Sequence, residues 1–433
     1  MKVELERGVV AAVVRESEQG RELLVEVDGE LERAFQEPAF GAAAQVGDSV
    51  LLNTTAVRMS LGTGGVHFVV AVEPDRVGAS GAQASEKASV VNRPGHIMKM
   101  RYTPLQMAVH AVEEQDHPLH ERVAEAETLD GVPVVICELH SMVPAVAMSL
   151  RYVWEQEQRK QLQGRDSEPF AKTGLQGERR ADGTASGSRD VRDEREAGID
   201  APRIVYVMTD GAALSMAFSK TVVQLKEQGL LAGTVTVGHA YGGDLEAVNL
   251  YSGLLAARHA LEADCIVVGM GPGIVGTGTR YGHTGIEVGQ AVNAVHSLQG
   301  DPIVVPRISF VDKRERHQGV SHHTITALSQ VALAQATVPL PNLEDEQAAF
   351  IWRQLTASGL HRKHHLAGLC GHSLLDAVKQ FPVPLRTMGR TLDEDLPFFL
   401  AAGAAGEWAA RQLKKPPQRY AWRSESALLI DKN

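Results

Sequence analysis

The chain has 433 residues, 44% of them hydrophobic, with 43 Lys and Arg against 53 Asp and Glu and a formal charge of -10. A chain of this size buries a substantial core and exceeds one average domain. Its acidic balance, with no basic block interleaved with aromatics, argues against nucleic acid or an anionic membrane surface as a partner.

Residues 1 to about 80 read as short strands, RGVVAAVVR, ELLVEVDGE, VGDSVLLN and GGVHFVVAV, parted by Gly, Asp and Pro at turn positions. That spacing predicts a small β-barrel-like domain over 1–80, in which acidic residues outnumber basic ones. A connecting segment is expected over 81–132. The beginning, MKVELERGVV, lacks the basic end and apolar block of a secretory signal. No apolar run approaches the roughly 20 residues of a spanning helix.

From Pro133 the pattern changes to strand, polar loop and helix. The strands are VPVVICEL, RIVYVMT, TVTVG, DCIVVGM and PIVVPRISF, apolar throughout as strands covered on both faces should be. Leu214, Phe218, Val222 and Leu225 share one face of an expected helix ending at Gly229, and Leu245, Val248, Leu255 and His259 share one face of the next. The fold class is therefore α/β, a mostly parallel, doubly wound sheet over 133–415.

Between the first two strands, residues of about 155–200 have almost no apolar side chains, and a disordered excursion is expected there. A C-terminal part from about 342 offers a helix at Glu344–Ser358, a solvated HRKHH run, an LCGHSLLDAVKQF unit and a helix near 394–413. The tail at 416–433 reads as peripheral. The three cysteines, Cys137, Cys265 and Cys370, are scattered in apolar surroundings and read as reduced core thiols of a cytoplasmic protein, with no zinc ribbon to build from them.

In an open α/β sheet ligands bind beyond the carboxyl ends of the strands. Here those ends carry His140-Ser141, Thr209-Asp210-Gly211, HAYGGD from His239 to Asp244, a glycine-threonine loop from Gly271 to Thr284, and the stretch Arg307–His323. The loop formally matches GxGxxG at Gly271, Gly273 and Gly276, but the next helix starts only at Thr284, where TGIE reads as a capping box. Arg307 follows the next strand where a ribose-binding acid would be wanted, so a nicotinamide cofactor is disfavoured, and no GxxxxGK[ST] loop is present. What remains is an extended loop whose N–H groups and side chains suit a phosphate or carboxylate: Gly271, Gly273, Gly276, Thr277, Gly278, Thr279 and Arg280, with Asp210 and Arg307 nearby in the pattern.

Ser321 reads as an N-cap that places His322 and His323 in a first helical turn, where the helix dipole favours neutral imidazoles. With His239, Asp244 and His283, these are the candidate acid-base residues, and their types also suit a divalent metal. Ser141 and Ser373, each after a His, lack the glycines of a nucleophile elbow.

Five long motifs, GHIMKMRYTPLQ, YVMTDGAALSMAFS, GHAYGGDLEAVNLYSGLLAARH, GMGPGIVGTGTRYG and RISFVDKRERHQGVSHHT, resemble the uncharacterised family known as domain of unknown function 3866, over nearly the whole chain. The resemblance implies a cytoplasmic bacterial protein with this N-terminal barrel and α/β body; it supplies no activity. The sequence alone therefore points to a small anionic ligand, phosphorylated or nucleotide-like, bound at the carboxyl edge of the sheet by a transferase or hydrolase. Two readings stand beside it: a non-catalytic metabolite sensor or scaffold, and a metal-dependent hydrolase. Homo-oligomerisation is left open.

Overall fold

A computed structural model of the protein describes residues 3–17, 20–37, 41–60, 65–73, 95–103, 105–165 and 201–413. The N-terminal strands β1 (Leu5–Ser17), β2 (Gly20–Val27), β3 (Glu30–Gln36), β4 (Ser49–Asn53) and β5 (His67–Glu73) form a closed barrel in the order β1-β2-β3-β5-β4. Alternation along β2 sends Leu23, Val25 and Val27 inward to meet Val10, Val50 and Leu52. Four strands were expected and there are five. The additional one, ELERAFQ, is hidden in sequence by its outward charges, and it pairs with β2 through Asp28-Gly29, both at positive φ (51° and 86°), the geometry of a tight hairpin turn.

In the connecting segment, β6 (Ile97–Lys99) and β7 (Met107–Val109) make a hairpin. Its Lys99 is buried, with Nζ donating to the Thr236 carbonyl at 3.2 Å and to Glu246 Oε2 at 2.6 Å, which ties this segment to the sheet. Residues 74–94 of that segment lie outside the described residues.

The body is an eight-stranded sheet of β8 (Pro133–Cys137), β9 (Ile204–Thr209), β10 (Gly233–Thr236), β11 (Leu245–Glu246), β12 (Cys265–Met270), β13 (Asp301–Val305), β16 (Thr337–Pro341) and β17 (His365–Leu369). Two short pairs flank it: β14 (Ile308–Ser309) with β15 (Gly319–Val320), and β18 (Arg386–Thr387) with β19 (Arg390–Thr391). The spatial order is β11-β10-β9-β12-β8-β13-β16-β17 with every ladder parallel. After β9 the chain builds outward on one side and after β12 on the other, so the switch point falls at β9, β12 and β8. Val134 and Ile136 of β8 face a core with the helix Glu287–Ser297; Val135 and Cys137 face the other, with the helices Val143–Arg165 and Leu396–Gln412.

Several local expectations differ from this structure. The helix expected from Leu214 begins only after Ser219, which caps Lys220–Glu227, because Met216–Phe218 is a separate turn. Leu245 lies in edge strand β11, and the following helix starts at the Asn249 capping box. Strands β11, β16 and β17 were not anticipated. Of the excursion expected at about 155–200, residues up to Arg165 continue a helix, and 166–200 lie outside the described residues, as do 414–433. HRKHH is not a solvated stretch: His364 is buried and accepts from Ala336 N, while His365 opens β17. Cys137 and Cys265 are buried, whereas Cys370 is exposed. Among the described residues, no helix is long and apolar enough to cross a membrane.

The long C-terminal helix approaches its partner closely because Gly403 and Gly406 lack side chains. A Cβ at Gly406 would lie 2.4 Å from the Val146 carbonyl oxygen and 3.0 Å from Leu150 N. Gly406→Val is expected to cost about 3 kcal/mol by overpacking. Gly368→Ala, at a position with nothing within 4 Å, should stay within about 0.5 kcal/mol of the parent. Thermal unfolding of the two variants checks this.

Candidate functional site

The central strand β8 runs out into Glu138, a carboxylate 1% exposed in the interior at the carboxyl edge. An isolated buried carboxylate would be neutralised, so its charge must be met by partners. Three converge on it. Arg307, after β13, places Nη1 at 3.3 Å from Oε1; His323 Nδ1 lies 3.2 Å from the same oxygen; Thr324 Oγ1 donates to Oε2 at 2.7 Å. Burial alone would raise the Glu138 carboxyl, but the His323 hydrogen bond and the Arg307 charge outweigh it and hold it down to about 2. Arg307 is itself held by Asp312, 3.6 Å from Nη2, which also binds Arg314.

The histidines are delivered by local structure. Strands β14 and β15 turn the chain back, and Ser321 then caps a short helix, His322–Thr326, accepting from His323 N at 3.2 Å. Both histidines therefore stand in its first turn, as expected. The same Ser321 hydroxyl lies 2.8 Å from Nδ1 of His317, which belongs to the preceding turn Glu315–His317. One ring nitrogen from each of His317, His322 and His323 lies within 4.8 Å of the others. His283 from the glycine-threonine loop stacks on His323, centroids 3.9 Å apart and planes 8° from parallel.

His317 and His322 are neutral at pH 7. Burial, helped by the Arg307 and Arg314 charges, brings His317 to about 3; burial, helped by His323 and His283, brings His322 to about 4. His323 Nδ1 faces the Glu138 carboxylate, so that nitrogen carries a proton and donates to it. His323 Nε2 and His322 Nε2 are both buried and have no hydrogen-bond partner among the described residues. Unpaired buried nitrogens of this kind are costly, and imidazole nitrogens are of the type that can hold a metal ion.

Beside His322 opens a polar cavity of about 530 Å3, lined also by Arg280, Arg316, Gly278 and Gln330. Of the glycines expected to cradle an anion, Gly276 instead packs on the ring of His323: a Cβ there would lie 2.9 Å from Cε1 and 3.0 Å from Nε2. Gly271 allows close approach to the Ala213 carbonyl, while Gly273 and Gly278 are open. Thr277 and Thr279 are turned on the loop itself. Their hydroxyls lie 2.9 Å apart, and they bind the Gly282 carbonyl and amide respectively.

The structure thus brings together His283, His322 and His323, with Arg280 at the cavity wall and Arg307 behind Glu138. It does not bring His239 and Asp244 there. His239 follows β10, three strand spacings or about 14 Å from β8, and Asp244 precedes the edge strand β11, one strand farther out. Asp244 is occupied by Thr234 and Lys226, and His239 Nδ1 accepts from Met100 N. Asp210 accepts from His239 N and lies near Glu287. The TGIE capping box is not formed: Glu287 Oε1 accepts from Thr209 Oγ1 at 2.6 Å and does not turn back to Thr284.

The family model described as "Protein of unknown function (DUF3866)" matches residues 33–162 and 193–406, most of the chain and all of these elements from Glu138 to His323. The chain belongs to this family. No curated protein and no solved structure matches it. In this DUF3866 protein the residues that sequence reasoning missed are Glu138, His317, Thr324 and Arg316. His317 had a local signal, five residues before His322 in a stretch already marked as a polar strand end, whereas Glu138 had none.

On the other side of the DUF3866 switch point, Glu287 and Asp210 line a smaller cavity of about 220 Å3. Burial pushes Glu287 up to about 7, with the Asp210 charge adding to it and the Thr209 hydrogen bond opposing. Its unfolded value is about 4.3, so the folded state binds more protons between the two, and stability from this group falls as pH rises from about 4.3 through 7. Glu287→Gln removes that loss. Its melting temperature relative to the parent should rise steadily between pH 5 and pH 8, measured by calorimetry.

Proposed function

We propose that the protein is a metal-dependent hydrolase of small anionic substrates, with a divalent transition metal held by His317, His322 and His323. The observation that carries this reading is the pair of buried, unpartnered Nε2 atoms of His322 and His323, with the Nδ1 of His323 anchored on a carboxylate. A carboxylate behind a ligating imidazole fixes its tautomer and raises its basicity, an arrangement that recurs at zinc and iron sites. Three imidazole ligands suit zinc, iron or nickel better than magnesium or calcium. With three protein ligands, a metal supplies an open position and a water acidified toward neutrality.

The protein's own residues would then do the rest. Arg280 and Arg316 border the cavity at His322 and would hold a phosphate or carboxylate by fork-like hydrogen bonds. Arg307 keeps Glu138 ionised, and Glu138 keeps His323 pointed. Ser321 aligns both His317 and the first turn.

Purified protein is expected to hold about one equivalent of zinc, iron or nickel per chain by elemental analysis, and to hydrolyse a nitrophenyl phosphate mono- or diester in a chelator-sensitive manner. His322→Ala should abolish both. Glu138→Gln should weaken metal binding by about 10–100-fold. Arg280→Ala should raise KM while leaving metal content intact. Failure to retain or take up any of these metals would overturn the reading, as would metal binding indifferent to His322. A second test uses the loop: Gly276→Val drives a side chain onto the His323 ring and is expected to lower metal occupancy without removing a ligand.

A further inference from the structure

A larger cavity than the one at the histidines lies between the barrel and the carboxyl edge of the sheet, a cleft of about 690 Å3. Its volume is that of a site for a drug-sized or cofactor-sized molecule. The two cavities sit on either side of the same loop: Gly273 and Ile274 wall the cleft, Gly278 and Arg280 the histidine cavity.

The walls are apolar where the cleft is deep. Phe218 meets Phe35 of the barrel edge to face, centroids 5.7 Å apart, and Met270 and Ile274 come from the end of β12 and its loop. The floor is polar and uncharged. His140 Nε2 lies 2.6 Å from Ser219 Oγ, and Nδ1 lies 3.0 Å from the Tyr206 hydroxyl, which itself donates to the Gly269 and Met270 carbonyls. Tyr206 must therefore accept from Nδ1–H, and Nε2 takes the Ser219 proton, so the floor is fully satisfied with a neutral ring.

The rim is the opposite of the chain as a whole. In a protein of net charge -10, four cations, Arg15, Arg33, Lys220 and Arg386, line this cleft with one carboxylate, Glu22. Glu22 is taken by Lys220 and lies 3.7 Å from Arg33. Arg15 and Arg386 are exposed and form no ion pair within 4 Å among the described residues, although the Arg15 charge acts on Glu22 and the Arg386 charge on Glu394 from farther away. Unpaired guanidinium groups at the mouth of an apolar cleft with a neutral floor match one ligand shape: an apolar body inside and an anionic group at the opening. An inorganic anion would leave the apolar walls unused.

We propose that this cleft is a second ligand site, for a small organic anion whose aromatic or aliphatic body packs on Phe218 and Ile274 and whose charged group binds Arg15 and Arg386 at the rim. The site stands on its own observations and does not require a metal at the histidines.

Anilinonaphthalene sulfonate, an aromatic body with one anionic group, is a direct probe. Titrated into full-length protein stripped with chelator, it should show saturable, blue-shifted fluorescence with one site per chain. The double variant Arg15→Ala, Arg386→Ala should weaken the dissociation constant by about tenfold or more, the scale of one charge-assisted contact. The Lys counterparts should recover most of it, and His322→Ala should leave it unchanged. Both arginines are exposed, so the fold should survive, with circular dichroism as the check. Absence of saturable fluorescence overturns the proposal. So does binding that the double variant leaves intact, or binding lost in His322→Ala, which would place the probe at the histidine cavity instead.

Discussion

A carboxylate charge sealed in the interior at the end of the central strand sets the terms for the rest of this molecule. Glu138 has almost no access to water, and the interaction that keeps it ionised ties β8 to Arg307 and His323, 169 and 185 residues farther along the chain. Such a pair gives little net stability, because desolvation consumes most of the Coulombic gain. Removing one member is another matter, since the other is left charged and buried. The arrangement is therefore better understood as a device for orientation: Arg307, Thr324 and Ser321 hold the Glu138 carboxylate and the His317 and His323 imidazoles in one geometry, with Asp312 behind Arg307.

The barrel is bound into the same design. Glu37 at the end of β3 accepts from the Tyr241 hydroxyl at 2.5 Å, Lys220 pairs with Glu22, and Phe35 packs on Phe218. A polar anchor, a surface ion pair and an aromatic contact fix the seam, and the cleft is the space they leave between them. Burial raises Glu37, so the Tyr241 bond is made in an environment that resists charge.

Much of the body was legible in sequence because buried parallel strands are continuous apolar runs. Five of the eight, beginning at Pro133, Ile204, Gly233, Cys265 and Asp301, announce themselves that way. The others are disguised: β16 contains two prolines, β17 begins with a histidine, and β11 is a two-residue edge. The site was half legible. Ser321-His322-His323 is a local signal, since a cap and the residues it caps are neighbours. Glu138 is not, because nothing in VPVVICEL says that this carboxylate meets Arg307; only the pairing of β8 with β13 does. The threonines of the loop misled for a related reason: hydroxyls that could reach a ligand bind their own loop when the turn brings them together.

The strand order also bears on how this polypeptide comes off the ribosome. Every barrel strand lies within residues 5–73, so that unit has all its strand pairings early. Strand β8, by contrast, pairs only with β12 and β13, which are made much later. A nascent chain must therefore carry an apolar strand and the apolar face of its following helix without partners while more than a hundred residues are added. Long-range parallel pairing is slow and leaves hydrophobic surface open to association in the interim. The architecture that places Glu138 at the centre of the finished sheet makes the same strand the most exposed liability of the unfinished one.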